Sequence, residues 1–287
     1  MINNIVLSKV EVEEVKRLAD ETRKIFGIYS DVPIANDILM LLEKNEIILC
    51  EYPFEESQGS HTDAAITWYE TEDGPMTFIG LNTSLYYDEQ IFALAHELYH
   101  FRTKTGKAYI TDIDDEDAIT ERKADRYAAE LLLPQKVLES RVFVEFSVED
   151  INKASKLRLL RFIARLQCEW WLPYRSIVNR LKEEEYLNDE VFQLLYSIDE
   201  RDEEGEYCRI LKSLDEKKYE LFNNKTRRKG VSNNTLEAII QNYEDGLIDD
   251  DHFIEYLEVF GREPSDFGFD ISITDEEDFR ILFEGGA

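Results

Sequence analysis

A chain of 287 residues with 43% hydrophobic and 12% aromatic side chains has the material for a sizeable core and lacks the composition of a disordered protein. Its 62 acidic against 33 basic residues give a formal net charge of −29, which disfavours nonspecific nucleic-acid binding by the chain as a whole. No apolar run approaches the roughly 18 residues of a membrane helix, so no spanning helix is expected.

The charge is uneven. Residues 151–182 hold eight basic side chains against one acid, Glu169, whereas residues 237–287 hold 16 acids against Arg262 and Arg280. A basic surface in the middle and an acidic C-terminal segment are expected. Cys50, Cys168 and Cys208 form no Cys-x-x-Cys pair, which argues against a disulfide framework and against a thiolate metal site. Residues 1–9 lack a basic start and an extended apolar stretch, so no secretory signal is read and a reducing cytoplasm is expected.

Ser8 can cap a helix reaching about Phe26, with Val12, Val15, Leu18, Ala19, Thr22 and Ile25 on one stripe. Pro33 fits the first turn of a second helix through Ile38, Leu41 and Leu42, closed by Asn45. Residues 47–52 read as a strand ending at Pro53. Residues 64–69 and 76–81 read as two more, and the Asp73-Gly74 step between them signals a hairpin. Thr83 and Ser84 offer caps for the next helix; Asp88 and Glu89 suit its first turn, and Phe92, Leu94, Ala95 and Leu98 give it an apolar side. After Gly106, acidic residues 112–117 lead into a helix from about Glu116 to Leu133 that Pro134 ends. Residues 157–170 and 172–181 outline two short helices joined by a turn, which resembles a helix-turn-helix. Residues 197–207 read as a linker, residues 223–234 as a basic loop with Lys225, Arg227, Arg228 and Lys229, and the tail as helical around 236–243 and 250–260.

His96-Glu97-Leu98-Tyr99-His100 carries the chemistry. Two of the chain's four histidines stand four residues apart, on one face of a helix, so both imidazoles can point at one metal ion. On the following helix, Ala118, Glu121, Asp125, Ala128 and Leu132 share a face at spacings of three and four. Two carboxylates on an otherwise apolar face need a compensating charge or donor. One zinc ion held by His96, His100 and Glu121 supplies it, and Asp125, one turn on, is placed to accept the free N–H of a ligand histidine. Three protein ligands with an open fourth position mark a catalytic zinc, which lowers the pKa of its water to roughly 7. Glu97 is then the general base, passing the proton to the leaving amine. Tyr127 and His61 are the candidates for a further donor to the oxyanion.

Residues 91–100 and 121–134 resemble the ImmA/IrrE metallopeptidases, and residues 34–39 and 78–82 look like that family too. The resemblance is strong over residues 33–134 and fades afterwards. It implies a gluzincin-like cytoplasmic enzyme of bacteria or mobile elements that cleaves or inactivates a helix-turn-helix repressor, with His96, His100 and Glu121 as ligands and Glu97 as the catalytic residue. Tyr99 stands where relatives often carry glycine, and Asp125 where many carry asparagine. Since no helix-turn-helix precedes the core, a DNA-binding partner is expected on a separate chain.

The expected fold is α+β: a small zincin-like core of helices on a short, mostly antiparallel sheet (residues 1–140), a helical, helix-turn-helix-like module (141–196) and an acidic, mainly helical C-terminal region (197–287). The leading function is a zinc-dependent endopeptidase acting on a helix-turn-helix repressor, with a substrate strand adding to the sheet beside residues 76–81. An alternative makes the chain a regulatory protein whose Arg158, Arg161 and Arg165 contact DNA or an acidic partner, with zinc mainly structural. A third has the acidic tail mimic nucleic acid. For the basic segment, a solvated helix face or pairing within the chain is the simpler reading.

Overall fold

Ser8 opens the first helix, α1 (Lys9–Ile25), through a reciprocal box: its hydroxyl accepts from the Glu11 N–H at 3.3 Å, while the Glu11 carboxylate accepts from the Ser8 N–H at 2.8 Å. The computed structural model describes residues 6–29, 31–54, 62–71, 74–105, 115–231 and 233–271. Met1–Arg228 and Lys229–Ala287 form two compact units.

Pro33 lies ahead of a single 3-10 turn, Ala35–Asp37, and α2 (Ile38–Lys44) follows, so the second helix begins later than the proline suggests. Asn45 ends it by donating from its side chain to the Leu41 carbonyl at 2.7 Å. The strands β1 (Ile47–Tyr52), β2 (Ala64–Thr71) and β3 (Gly74–Asn82) come next. β2 and β3 pair antiparallel from Thr71↔Gly74 to Ala64↔Leu81, as the hairpin signal requires; Asp73 itself lies outside the described residues. β1 pairs with β3 in parallel, from Ile47↔Thr77 to Tyr52↔Asn82. The sheet is therefore mixed, with one antiparallel and one parallel pairing among these strands. β2 serves as the crossover that lets β3 run alongside β1, giving the order β2-β3-β1. β3 is flanked on both sides, so the edge expected beside residues 76–81 is occupied. Among these three strands β2 lies at one edge and β1 at the other.

The motif helix α3 (Tyr87–Thr103) packs against β2, β3 and the next helix, α4 (Asp115–Leu132). Its cap is Tyr86, not Thr83 or Ser84: the Glu89 carboxylate accepts from the Tyr86 N–H at 3.1 Å. Thr83 instead donates to the Arg228 carbonyl at 2.8 Å, and the Ser84 N–H donates to Asn82. Ile91, Ala93, Leu94, Ala95, Leu98 and Tyr99 are all buried, so α3 is the central helix of the unit.

α1 lies along α4, where Arg23, 2% exposed, donates to the carbonyls of Leu131 (2.5 Å), Tyr29 (2.8 Å) and Val32. It thereby serves a C-terminal carbonyl of α4 that has no partner inside the helix. The chain continues through α5 (Gln135–Phe146), α6 (Lys156–Trp170), α7 (Tyr174–Glu183), α8 (Asp189–Tyr196), α9 (Glu206–Leu214) and α10 (Glu216–Phe222). One apolar cluster runs from Val15 to Phe222, so the boundaries expected at 140 and 196 fall inside the first unit.

α6 and α7 are joined through Trp171 in the left-handed conformation (φ 58°), matching the expected helix–turn–helix outline. Both are committed to packing. Arg180 of α7 is 1% exposed and donates to Glu130 of α4 at 2.7 Å, and the Tyr174 hydroxyl donates to the Leu195 carbonyl at 2.9 Å. The expected basic surface is largely neutralised within the unit: Arg158 pairs with Glu145 and Glu149, Arg165 with Glu145, Arg175 with Glu200 and Lys182 with Asp189, leaving Arg161 exposed between them. The local charge count missed these partners because they lie on neighbouring helices and loops.

The stretch after α8 is not a slack linker either. Arg201 donates to Asp88 at the start of α3 and to the Phe222 carbonyl at 3.1 Å. Residues 224–228 run beside residues 83–87: the Tyr87 N–H donates to the Asn224 carbonyl at 3.0 Å, Tyr86 and Lys225 form a bridge, and the Arg227 N–H donates to the Thr83 carbonyl at 2.9 Å.

The second unit contains the short strand β4 (Gly230–Val231), α11 (Asn233–Glu244), α12 (Asp250–Val259) and a 3-10 turn, Pro264–Phe267. Its small core stacks Tyr243 on Phe253 at 4.1 Å, with Phe269 edge-on to both. The acidic residues beyond 271 lie outside the described residues. No described helix is long and apolar enough to cross a membrane.

Candidate metal centre

α3 and α4 meet along a seam of small and apolar residues. Ala95 and Leu98 of α3 and Ala124 and Ala128 of α4 are wholly buried. Small side chains on α4 let the two helices approach closely enough for residues one turn apart on each to converge. Glu121 and Asp125 face α3 from there.

His96 Nε2 lies 3.1 Å from Glu121 Oε2 and 3.2 Å from His100 Nε2, and His100 Nε2 lies 3.5 Å from Glu121 Oε1. Among the described residues these three side chains are the group whose donor atoms can hold a metal ion, all lying within 4.8 Å of one another. Nitrogen and oxygen donors about 2.0–2.1 Å from a tetrahedral zinc ion stand about 3.3–3.4 Å apart, so the spacing fits that ion. Two imidazoles and a carboxylate, with no thiolate, are also the donor set of catalytic rather than structural zinc. Side-chain exposure rises from 4% at His100 to 28% at Glu121, so the cluster opens toward Glu121.

Asp125 Oδ1 lies 3.0 Å from His96 Nδ1. A carboxylate accepts, so Nδ1 of that ring carries a proton, and Nε2 is the nitrogen that faces the cluster. Burial disfavours a charged His96, but Asp125 and Glu121 outweigh it and push its pKa up to about 10. Burial, then the neighbouring His96 charge, brings His100 down to about 4. Glu121 remains below the usual carboxylate range: burial opposes its charge, but His96 and His100 favour it. Glu97, 6% exposed, is pushed up to about 7, by burial first; the His96 charge and the Ile66 N–H of β2 pull the other way. A carboxylate poised near neutrality beside the cluster suits proton transfer.

Tyr99, where the resembled family often has glycine, is buried with its ring edge-on to His100 at 5.6 Å. It forms a wall behind that imidazole. Tyr127 does not join the cluster. Its hydroxyl donates to Thr22 at 2.8 Å in the α1–α4 core, and burial pushes its phenol up. As an oxyanion donor it is ruled out by this orientation. His61 lies outside the described residues. Arg158, Arg161 and Arg165 lie on α6, where Arg158 and Arg165 pair with Glu145.

Sequence reasoning did not single out Thr103 and Thr105, whose hydroxyls line the far side of His100, nor Arg201 and Gln167, which hold Asp88. Neither set has a periodic or spacing signal.

A comparison with curated proteins gives no match. Residues 43–182 match the family of the IrrE N-terminal-like domain, Peptidase M78, a span that contains β1–β3, the whole cluster and α5–α6. With the His-His-Glu cluster inside that span, residues 43–182 form an IrrE N-terminal-like domain of the ImmA/IrrE (M78) metallopeptidase family.

Proposed function

We propose that the chain is a zinc-dependent endopeptidase that cuts a helix-turn-helix transcriptional repressor at a specific site. The observation that carries the catalytic part is the triangle of His96, His100 and Glu121, with Glu97 next to His96 on the same helix. The repressor as substrate rests on the resemblance to the ImmA/IrrE peptidases.

His96, His100 and Glu121 would hold the zinc. When bound, the ion supplies Lewis acidity toward water and toward the peptide carbonyl. Glu97 takes the proton from the attacking water and returns it to the leaving amine. Asp125 keeps His96 oriented through Nδ1. The substrate enters extended, as a strand along the outer edge of β2, where the Ile66 N–H already reaches Glu97. Trp68 and Ala64, two residues either side of Ile66, present the adjoining main-chain groups along the same edge.

The test uses purified protein and a helix-turn-helix repressor encoded beside it. Glu97→Gln is expected to retain zinc while cleavage stops, and Glu121→Gln to lose both. Cleavage by the Glu97→Gln protein would reject the assignment of the base. Intact repressor after incubation with zinc-loaded wild type would reject the substrate.

A further inference from the structure

We propose that Thr105 and Thr103 are positioning residues that set the tautomer of His100, holding its proton on Nδ1 and leaving Nε2 bare toward Glu121. The use of that bare nitrogen rests on the metal-centre reading above; the tautomer itself does not.

The contacts form a line. His100 Nδ1 lies 3.2 Å from Thr105 Oγ1, which lies 2.6 Å from Thr103 Oγ1, which lies 2.8 Å from the Tyr99 carbonyl oxygen. A carbonyl only accepts, so the Thr103 hydroxyl directs its single proton there. Thr103 must then accept from Thr105. Thr105, its own proton engaged, must accept from His100 Nδ1–H. Three contacts are served by three protons, all pointing one way. The opposite sense would set Thr103 Oγ1 and the Tyr99 carbonyl lone pair against lone pair at 2.8 Å.

A separate constraint points the same way. His96 Nε2 and His100 Nε2 face each other at 3.2 Å, and two N–H groups cannot do so. A bare His100 Nε2 accommodates either state of its neighbour. The local backbone explains how Thr105 arrives there. Lys104 adopts the left-handed conformation (φ 55°), reversing the chain at the end of α3 and returning Thr105 to the ring it follows by five residues. A non-glycine residue is strained in that conformation, and the returning hydroxyl contact helps to offset the strain.

A neutral histidine in water prefers its proton on Nε2, so the relay selects the less common form. It does for His100 what Asp125 does for His96, but without adding a charge to the cluster. Each ligand histidine thus has its own acceptor for Nδ1–H: a carboxylate for His96 and a hydroxyl, backed by a second, for His100.

The test reads the tautomer directly, in metal-free full-length protein labelled with nitrogen-15, by two-bond proton–nitrogen correlation at pH 7.5. His100 is expected to show the Nδ1–H pattern. Thr105→Val is expected to introduce an Nε2–H population and to weaken zinc binding about tenfold in chelator competition; Thr105→Ser keeps both at wild-type values. Thr103→Val frees the Thr105 hydroxyl to donate to the ring and moves the tautomer in the same direction as Thr105→Val. An Nε2–H pattern in the wild type, or a Thr105→Val spectrum and affinity identical to the wild type, would overturn the relay. Wild-type protein with the Nδ1–H pattern and bound zinc that cuts no repressor faults the peptidase reading alone.

Discussion

The Arg201 guanidinium donates to Asp88 Oδ1 at 2.7 Å, tying the segment after α8 to the first turn of the helix that bears His96 and His100. Asp88 is wholly buried and also accepts from Gln167 at 2.8 Å, whose own carbonyl accepts from the Tyr207 hydroxyl at 2.5 Å. Burial pushes Asp88 up to about 6 against the pull of Arg201. Removing the cation leaves a buried carboxyl that must protonate or stand unpaired. Arg201→Ala is expected to lower stability by about 3 kcal/mol in urea unfolding, and adding Asp88→Asn to recover part of the loss. A double variant no better than the single one would show that the two residues do not couple.

Asp125 contributes through His96 rather than by touching the ion. Asp125→Ala is expected to weaken zinc binding about 10–100-fold while the fold is retained. Asp125→Asn, which keeps an acceptor toward Nδ1, should fall between that variant and the wild type. Chelator competition followed by metal analysis measures both.

The α3–α4 seam depends on small residues. Ala128, wholly buried, shares a helix face with Glu121 and Asp125. Ala128→Leu must force the helices apart or push neighbours off their rotamers. A loss of about 1–3 kcal/mol is expected in urea unfolding, together with weaker zinc binding because Glu121 is carried away from the histidines. Ala128→Gly, which removes volume and leaves the spacing, separates the two effects: it should cost stability with a much smaller change in affinity.

The first helix supplies a pH dependence. The Ser8 N–H, the Ser8 hydroxyl and Lys123 hold the Glu11 carboxyl down to about 2 from an ordinary 4.5. A carboxyl with a lower pKa when folded adds stability above its unfolded pKa and loses that contribution as pH falls toward the folded value. The window is pH 4.5 to 2. Glu11→Gln is therefore expected to unfold at a lower temperature than wild type at pH 7, with the gap closing as pH is lowered through that window. A gap that stays constant to pH 2 would contradict it.

The site was legible in the sequence where its geometry is local. His96 and His100, and Glu121 and Asp125, each lie one turn apart on a helix, so spacing alone places them on a face. The same periodicity explains the failure at Tyr127. Two residues beyond Asp125 is about 200° around the helix, which turns Tyr127 away from the cluster and toward Thr22 of α1. Its polar tip suggested a role; its position on the helix excludes one. The β2–β3 hairpin was readable from its turn residues, but the parallel partnership of β1 with β3 joins segments separated by a whole strand and leaves no local signal. Arg158 and Arg165 read as a basic patch because composition counts charges along the chain, whereas Glu145 and Glu149 meet them across space. The relay through Thr103 and Thr105 depends on one left-handed residue, Lys104, and threonines are too common to announce it.

The pairing of residues 224–228 with residues 83–87 bears on the order in which the molecule can be assembled. A chain emerging from the ribosome has every metal ligand available once Glu121 is made. The start of the ligand-bearing helix, however, gains its partners in turn as the next hundred or so residues follow: Gln167 first, then Arg201, and last Asn224 and Arg227. The segment recognisable by family, residues 43–182, is thus shorter than the segment that must be synthesised before the helix is secured at both ends. Completion of the helix's anchorage is deferred to late in translation, and a chain cut short between 182 and 200 would carry all the ligands on a helix whose start keeps Gln167 but lacks Arg201, Asn224 and Arg227.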